Sequence, residues 1–560
     1  MKFALFTLRL TILIIAAMVY SSAIASTTTE RPHNEEPEVS GASPSMRLLS
    51  QSQYKNSIAA IFGPQISSNV RFSPVQRIGG LEAIGARSII VTIGALEPLE
   101  NSARMISAQI VSEANRDLLI PCQPSAAIKR DDNCAKIFLS RAGRLLFRRH
   151  LSDVELKNVV NVAGASAEQA GDFYDGLSQA LAYLLISPKF LYIQENFEAD
   201  PEQPNYWHLD GYSKASRLSF FLWDAAPDSR LLDAAKRGAL STQEGLDREV
   251  KRLLASPRLE QGVRAFFEDM LIVEAFDLLT KDPIIYPAFT SQAVTDAREQ
   301  MLMTISDHLI ARERGYRDLF VTRNTFMSRA LAVVYRVPAH VGPVDWVPFE
   351  FSENDHRGGL LTLVGFLARY SHPGRTSPTN RGRGLRETLL CQHVPDPPPN
   401  VNFELFENST AERKTARQRL EAHSSNPICA GCHRLTDPLG LVLEKFDGAG
   451  QYRETENGAP IDTSGSVNRV PVSDAIELGE TLHDDPALTS CLVSRVYSYG
   501  TGRELSNDDG QLLDYFDREF ENSDYRFVDL LESIVTSDAF FKIEVDDDLL
   551  AMENRNDYQD

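Results

Sequence analysis

Two of the six cysteines stand in the run Cys429-Ala-Gly-Cys432-His433, and no other feature constrains the chain as much. The C-x-x-C-H spacing is that of c-type haem attachment. Two thiols three residues apart can add to the two vinyl groups of one porphyrin, and the adjacent imidazole then reaches the iron as proximal ligand. With six Cys and eleven His in 560 residues, chance gives such a run in roughly one chain per thousand. A thioredoxin-like redox pair wants a βαβ context that the surrounding pattern lacks. A zinc site wants two more ligands at matching spacing, and there is no second C-x-x-C. The reading is one covalent haem c on Cys429 and Cys432. His433 is expected to place Nε2 on iron and give its Nδ1 proton to a backbone carbonyl.

Met1–Ala25 reads as an export signal. Lys2 and Arg9 are cationic, Leu10–Val19 is apolar except for Thr11, and Ala23-Ile24-Ala25 has the small-x-small cleavage pattern. The apolar stretch is near half of the about 20 residues that span a bilayer, and no cysteine after the cut offers a lipid anchor. The expectation is a periplasmic or secreted protein starting at Ser26, with no integral membrane segment after signal removal. That location suits haem attachment, which takes place outside the cytoplasm. The formal charge is −20, or −22 without Lys2 and Arg9. So negative a chain repels phosphate backbones, which argues against nucleic acid. A redox protein partner or a small-molecule substrate remains.

At about 150 residues per domain the length suggests three to four domains. Apolar residues at 43% and charged residues at 24% are ordinary for a globular chain. The fold class is mainly α: a multi-domain helical protein with a C-terminal cytochrome c-like haem region and few short strands. After the signal (1–25), residues 26–46 are Thr-, Ser-, Glu- and Pro-rich and read as a disordered leader. Helical spacing begins near Met46 with Tyr54, Ile58, Ile61 and Phe62, in an N-terminal helical domain over 47–120; Ser88–Ile93 within it reads as a short strand. A helical domain over 121–207 contains Cys122, Cys134 and the series Phe173, Leu177, Leu181, Leu184, Leu185. Further helices follow over 208–345, among them Leu246–Leu254 and Val263–Leu271. The haem region is placed at 346–468. It includes the stiff linker Pro395–Pro399, a charged helix over Ala411–Ala422 and a Gly- and Asp-rich loop after 440. A helical domain over 469–543 and an acidic tail over 544–560 complete the chain.

The other four cysteines are an even set for an oxidising compartment. Cys122 and Cys134 lie close enough to close a small loop, which would leave Cys391 with Cys491; three pairings are formally open. For the distal iron position, the only methionine beyond His433 is Met552 in the tail, so His372 and His423 are the candidates, with His483 behind them. His372 opens the loop Pro373-Gly-Arg375-Thr-Ser-Pro378. Arg375, Arg381 and Arg503 are candidates for propionate contacts, since a guanidinium matches a carboxylate bidentately. Asp437, Asp447 and Asp462 suit turns and caps, because no EF-hand loop surrounds them. Asn408-Ser409-Thr410 is a glycosylation sequon, a weak signal by itself.

Several of these pieces occur in a fixed order: Met46–Gly63, the 134–197 and 208–275 blocks, Thr376-Ser-Pro-x-x-Arg381-Gly382 with Leu389-Leu-Cys391 and the proline run, Cys429–Arg453, and Tyr499-x-x-Gly502-Arg503. In this order the chain resembles the planctomycete-type secreted cytochromes built from a tandem array of domains of unknown function. The most specific stretches are His433-Arg-Leu-Thr-Asp437-Pro-Leu-Gly440 and Phe446-Asp447-Gly-Ala-Gly450. The resemblance implies an exported, largely helical protein with one c-type haem, and it favours the disulfides Cys122–Cys134 and Cys391–Cys491. Thr436 stands where relatives usually carry Met, a position too near His433 to supply the opposite ligand.

Electron transfer is the leading functional expectation. The alternatives are a peroxidase- or oxygenase-like haem enzyme with an open distal site, and a binding or structural protein in which haem is a folding clamp. The long helical region before the motif favours a partner or substrate surface in addition to one haem. No G-x-S-x-G, H-E-x-x-H or P-loop signature accompanies it.

Overall fold

Side-chain caps and apolar spacing set most helix starts in the computed structural model, which describes residues 35–39, 41–200, 206–342, 345–396, 414–425 and 427–545. The signal, most of the leader, the end of the proline run, the sequon, Met552 and the tail beyond Val545 lie outside them. From Glu38 on, the described residues belong to one unit, mainly helical with five small sheets of two or three strands.

Asp131 accepts the Cys134 N–H and starts helix α1 (Asp132–Leu146). Ser152 and Glu155 form the capping box of α2 (Asp153–Ala170), which ends at Gly171 with φ +67°. Asp172 then caps α3 (Phe173–Leu185), whose Phe173, Leu177, Leu181, Leu184 and Leu185 are all buried, as their spacing predicts. The α2–α3 hairpin closes tightly because Gly176 has no side chain: a Cβ there would lie 2.4 Å from the Ala163 carbonyl oxygen. Around these helices Tyr54, Ile58, Phe138, Leu139 and Phe190 complete a first apolar core. The disulfide Cys122–Cys134 fastens the start of α1.

Two local expectations are corrected. Met46–Leu48 is a strand paired antiparallel with Tyr192–Gln194, and the helix starts after Ser50, at Gln51–Phe62. Ser88–Ile93 is no strand. Ala86–Ser88 is a 3₁₀ turn and Ile93 opens a helix running to Val111. The backbone between them is satisfied by one side chain rather than a ladder: the Tyr192 hydroxyl accepts from the Val91 N–H at 3.0 Å and lies 3.3 Å from the Ile89 carbonyl.

A second, larger core gathers α4 (Gly211–Trp223), α5 (Leu259–Met270), the end of α7 (Pro427–Gly440) and α8 (Pro486–Thr501), with α6 (Pro378–Gly384) leading into it at Leu385. Helix α4 is buried on every side from Ser213 to Trp223, as a central helix must be. Aromatic rings knit distant segments: Phe266 lies 5.3 Å from Tyr499 and 5.9 Å from Phe527, and Phe221 lies 5.5 Å from Phe540. The sequence segments 208–345, 346–468 and 469–543 thus share one core. The stretch 440–470, expected as loop, carries a short antiparallel hairpin (Thr455–Glu456 with Ala459–Pro460) and the start of a second (Gly465–Val467 with Val470–Val472). Among the described residues no helix is long and apolar enough to cross a membrane.

Candidate functional site

The C-x-x-C-H run lies in the first half of α7. Cys429 and Cys432 are unbridged and half-buried, whereas the other four cysteines form the disulfides Cys122–Cys134 and Cys391–Cys491. The close pair thus stands apart from both bridges, its two thiols one turn apart on α7. Cys432 Sγ lies 3.7 Å from the Pro395 carbonyl, so the segment leaving Cys391 passes beside the motif.

His433 is held by Asp437, one turn further along α7: Nδ1 lies 2.8 Å from Asp437 Oδ2. The partner is thus a carboxylate rather than the expected backbone carbonyl, and the orientation of the ring follows from the i,i+4 spacing. Asp437 is fixed in turn, its Oδ1 accepting from Thr379 Oγ1 at 2.9 Å and lying 3.2 Å from Thr436 Oγ1. Thr379 belongs to α6, which starts at the Ser377 cap with Pro378 in its first turn. Sequence reading missed Asp437 and Thr379 as a unit, though the His-x-x-x-Asp spacing was a usable signal.

Two glycines let α6 and α7 approach so closely. A Cβ on Gly382 would lie 1.9 Å from the Thr436 carbonyl oxygen, and one on Gly440 would lie 1.7 Å from that of Pro378. Without these contacts Thr379 would not reach Asp437. The tail of α7 contains Pro438 and passes into a 3₁₀ turn at Leu441–Leu443.

The remaining site candidates fall in several places. Arg381 is fully buried and points away from solvent; its guanidinium lies 3.4 Å from Glu444 Oε1 and donates to the carbonyls of Leu443, Phe446 and Asp447 at 2.6–2.9 Å. Burial pushes its pKa down and that of Glu444 up. Arg503 grips Asp509 with both Nη atoms, at 2.6 and 2.8 Å. Both arginines, candidates for propionate contacts, are engaged by carbonyls and carboxylates of the chain itself. Arg375 is half-buried on the loop after His372. The His372 loop is pinned from below: Lys281 Nζ donates to the carbonyls of Ala368, Ser371 and His372 at 2.9–3.0 Å. Burial pushes the Lys281 amine down to about 7, with the Arg381 charge adding to it. His423 lies on the helix Ala416–Ser424, its side chain outside the described residues. His483 is tied between Asp318 and Asp484, at 3.2 and 2.7 Å, which removes it as a ligand candidate. Asp447 and Asp462 take the expected turn roles, accepting from Ala449 and Gln451 and from Ser464. Among the described residues no group of three or more His, Cys, Asp or Glu side chains is placed to hold a metal ion by itself.

The site is thus a histidine oriented by a carboxylate, following two unbridged thiols on one helix of a disulfide-stapled helical protein. Four family models match in tandem, each described as a protein of unknown function: DUF1595 over residues 134–195, DUF1592 over 209–337, DUF1588 over 357–456 and DUF1585 over 469–540. These are the planctomycete-type cytochrome c domain families, and the chain belongs to the proteins built from their tandem array. No curated protein and no solved structure matches it.

Proposed function

We propose that the chain is an exported mono-haem c-type cytochrome that transfers electrons to or from a redox partner. The observation that carries the reading is the division of the cysteines: four are bridged, and the two left on α7 stand beside a histidine whose Nδ1 is already engaged. With Nδ1 facing Asp437, Nε2 is the nitrogen that would face iron. Cys429 and Cys432 would form the two thioethers. Bound there, haem would supply a one-electron Fe(III)/Fe(II) couple. Thr379 and Asp437 keep the imidazole from rotating, and the carboxylate raises the basicity of the ring.

His372 or His423 is proposed as the distal ligand, and Arg375 as a propionate contact. Two disulfides support an oxidising compartment, periplasmic or extracellular. The test is expression with the haem-attachment machinery, followed by haem staining of the denatured chain and absorption spectra of the oxidised and reduced protein. Haem that survives denaturation and is lost in Cys429→Ser, Cys432→Ser supports the assignment; no haem band in the wild type ends it. Sharp low-spin bands on reduction favour electron transfer. High-spin iron that binds cyanide readily would turn the reading to peroxide or oxygen chemistry.

A further inference from the structure

A cleft of about 890 Å³ opens beside α6, on the flank next to the one that meets α7. Its size falls within the roughly 300–1,000 Å³ typical of cofactor and small-molecule sites. Cys429, Cys432 and His433 do not line it, but two of its walls come from segments that pass beside the C-x-x-C-H run. Asn380 and Arg383 line it from α6, next to Thr379, which holds Asp437. His393 lines it from the segment whose Pro395 carbonyl lies 3.7 Å from Cys432 Sγ. The opposite walls are α8 and the loop at Gly79–Gly80, so segments far apart in the sequence meet there.

The cleft carries cations that the protein leaves incompletely paired. Arg383 is satisfied, with Glu387 at 3.0 Å and Asp396 at 2.8 Å. Arg495 donates Nη2 to the Glu387 carbonyl at 3.1 Å, but its Nη1 is buried with no hydrogen-bond partner, and so is Nε of Arg369. A buried donor without a partner costs roughly 1–3 kcal/mol, more when charged, so a folded protein keeps one chiefly where something else fills the gap. Gly80 makes room for the Arg495 guanidinium: its φ is +82°, and a Cβ there would lie 2.2 Å from Nη1. Burial holds the Arg495 pKa below its usual value, with the Arg77 charge adding to it and Asp269 acting against it.

We infer that the cleft receives the carboxylate-bearing edge of the haem, with Arg495 and Arg369 as propionate partners alongside Arg375. This rests on haem attachment at Cys429 and Cys432, and it gives these two arginines the role that Arg381 and Arg503 do not fill. A planar guanidinium suits a propionate bidentately, and a cation beside the porphyrin edge favours Fe(II) over Fe(III).

The test is the Arg369→Gln, Arg495→Gln double variant of the haem-loaded chain. Covalent haem is assayed as the pyridine complex after denaturation, which does not depend on the fold, and the midpoint potential by spectroelectrochemical titration. The expected result is a full complement of haem and a midpoint lowered by a tenfold change in the Fe(III)/Fe(II) ratio, ~59 mV for one electron. Arg495→Lys alone should keep most of the wild-type potential. An unchanged midpoint in the haem-bearing double variant overturns the inference and leaves attachment standing, whereas a wild type without covalent haem overturns both. Should the double variant fail to fold, hydrogen exchange decides. Residues 79–84 and 494–498 should be better protected in the haem-loaded wild type than in Cys429→Ser, Cys432→Ser, and equal exchange overturns the inference.

Discussion

Asp437 Oδ2 stands 2.8 Å from Nδ1 of His433, one turn away on the same helix. A carboxylate in this position draws the Nδ1 proton toward itself and makes the opposite nitrogen a stronger donor. Asp437→Ala should therefore leave covalent haem in place and raise the midpoint potential, because a weaker donor stabilises Fe(III) less. A tenfold change in the Fe(II)/Fe(III) ratio, ~59 mV, is the expected size. Asp437→Asn should fall between the two. Spectroelectrochemical titration decides; identical midpoints would mean that the contact does not reach the iron.

The close passage of α6 over α7 gives a paired prediction. Gly440→Ala places a Cβ 1.7 Å from the Pro378 carbonyl and is expected to cost about 3 kcal/mol or more, as overpacking against backbone does. Gly431 lies on the same helix with nothing within 4 Å of its Cβ position. Gly431→Ala should be neutral, or stabilising by up to ~1 kcal/mol through helix propensity. Urea denaturation of the two variants reads the difference, and equal effects would contradict the helix crossing.

What the sequence made legible was local. The apolar series of α3 is a short-range pattern, and Phe173, Leu177, Leu181, Leu184 and Leu185 are buried as their spacing predicts. The strand pairing of Met46–Leu48 with Tyr192–Gln194 joins segments far apart in the chain, and three residues carry too little alternation to announce it. The partners of Arg381 are hidden from the sequence for a similar reason. A lone arginine in a glycine-rich stretch looks available for a ligand, yet its partners lie more than sixty residues later, at Leu443 to Asp447. Gly382 and Gly440 show their purpose only when the two helices are brought together.

The Cys391–Cys491 bridge closes a loop of about one hundred residues that contains both α7 and its thiols. Replacing both cysteines by Ser should lower stability by about 5 kcal/mol in the chain-entropy view. The Cys122–Cys134 bridge spans only 12 residues, so in the chain-entropy view its removal costs less, nearer ~3 kcal/mol. Urea melts of the two double variants test the order. A larger loss from the short loop would show that local packing, rather than loop closure, sets the contribution.

Asp224 supplies a pH dependence whose sign can be worked out. It follows α4 directly, 1% exposed, in the left-handed region at φ +49°. Oδ2 accepts from Asn56 Nδ2 at 2.8 Å, while Oδ1 is buried without a partner. Burial raises the carboxyl pKa from 3.8 to about 7, and the charge of Glu268 adds to it. In the unfolded chain the group ionises near 3.8, so between there and about 7 the folded state keeps a proton that the unfolded state has released. The folded state is thus favoured below the lower value, and this contribution is lost as pH rises through about 7. At ~1.4 kcal/mol per pH unit the window corresponds to ~4 kcal/mol as an order of magnitude. Asn is neutral at every pH and tolerates the left-handed region well, so Asp224→Asn should flatten the profile and gain ~2 kcal/mol or more at pH 8. Urea midpoints of the wild type and the variant at pH 5 and pH 8 measure this. Profiles that run parallel across that range would show that Asp224 ionises without cost in the folded protein.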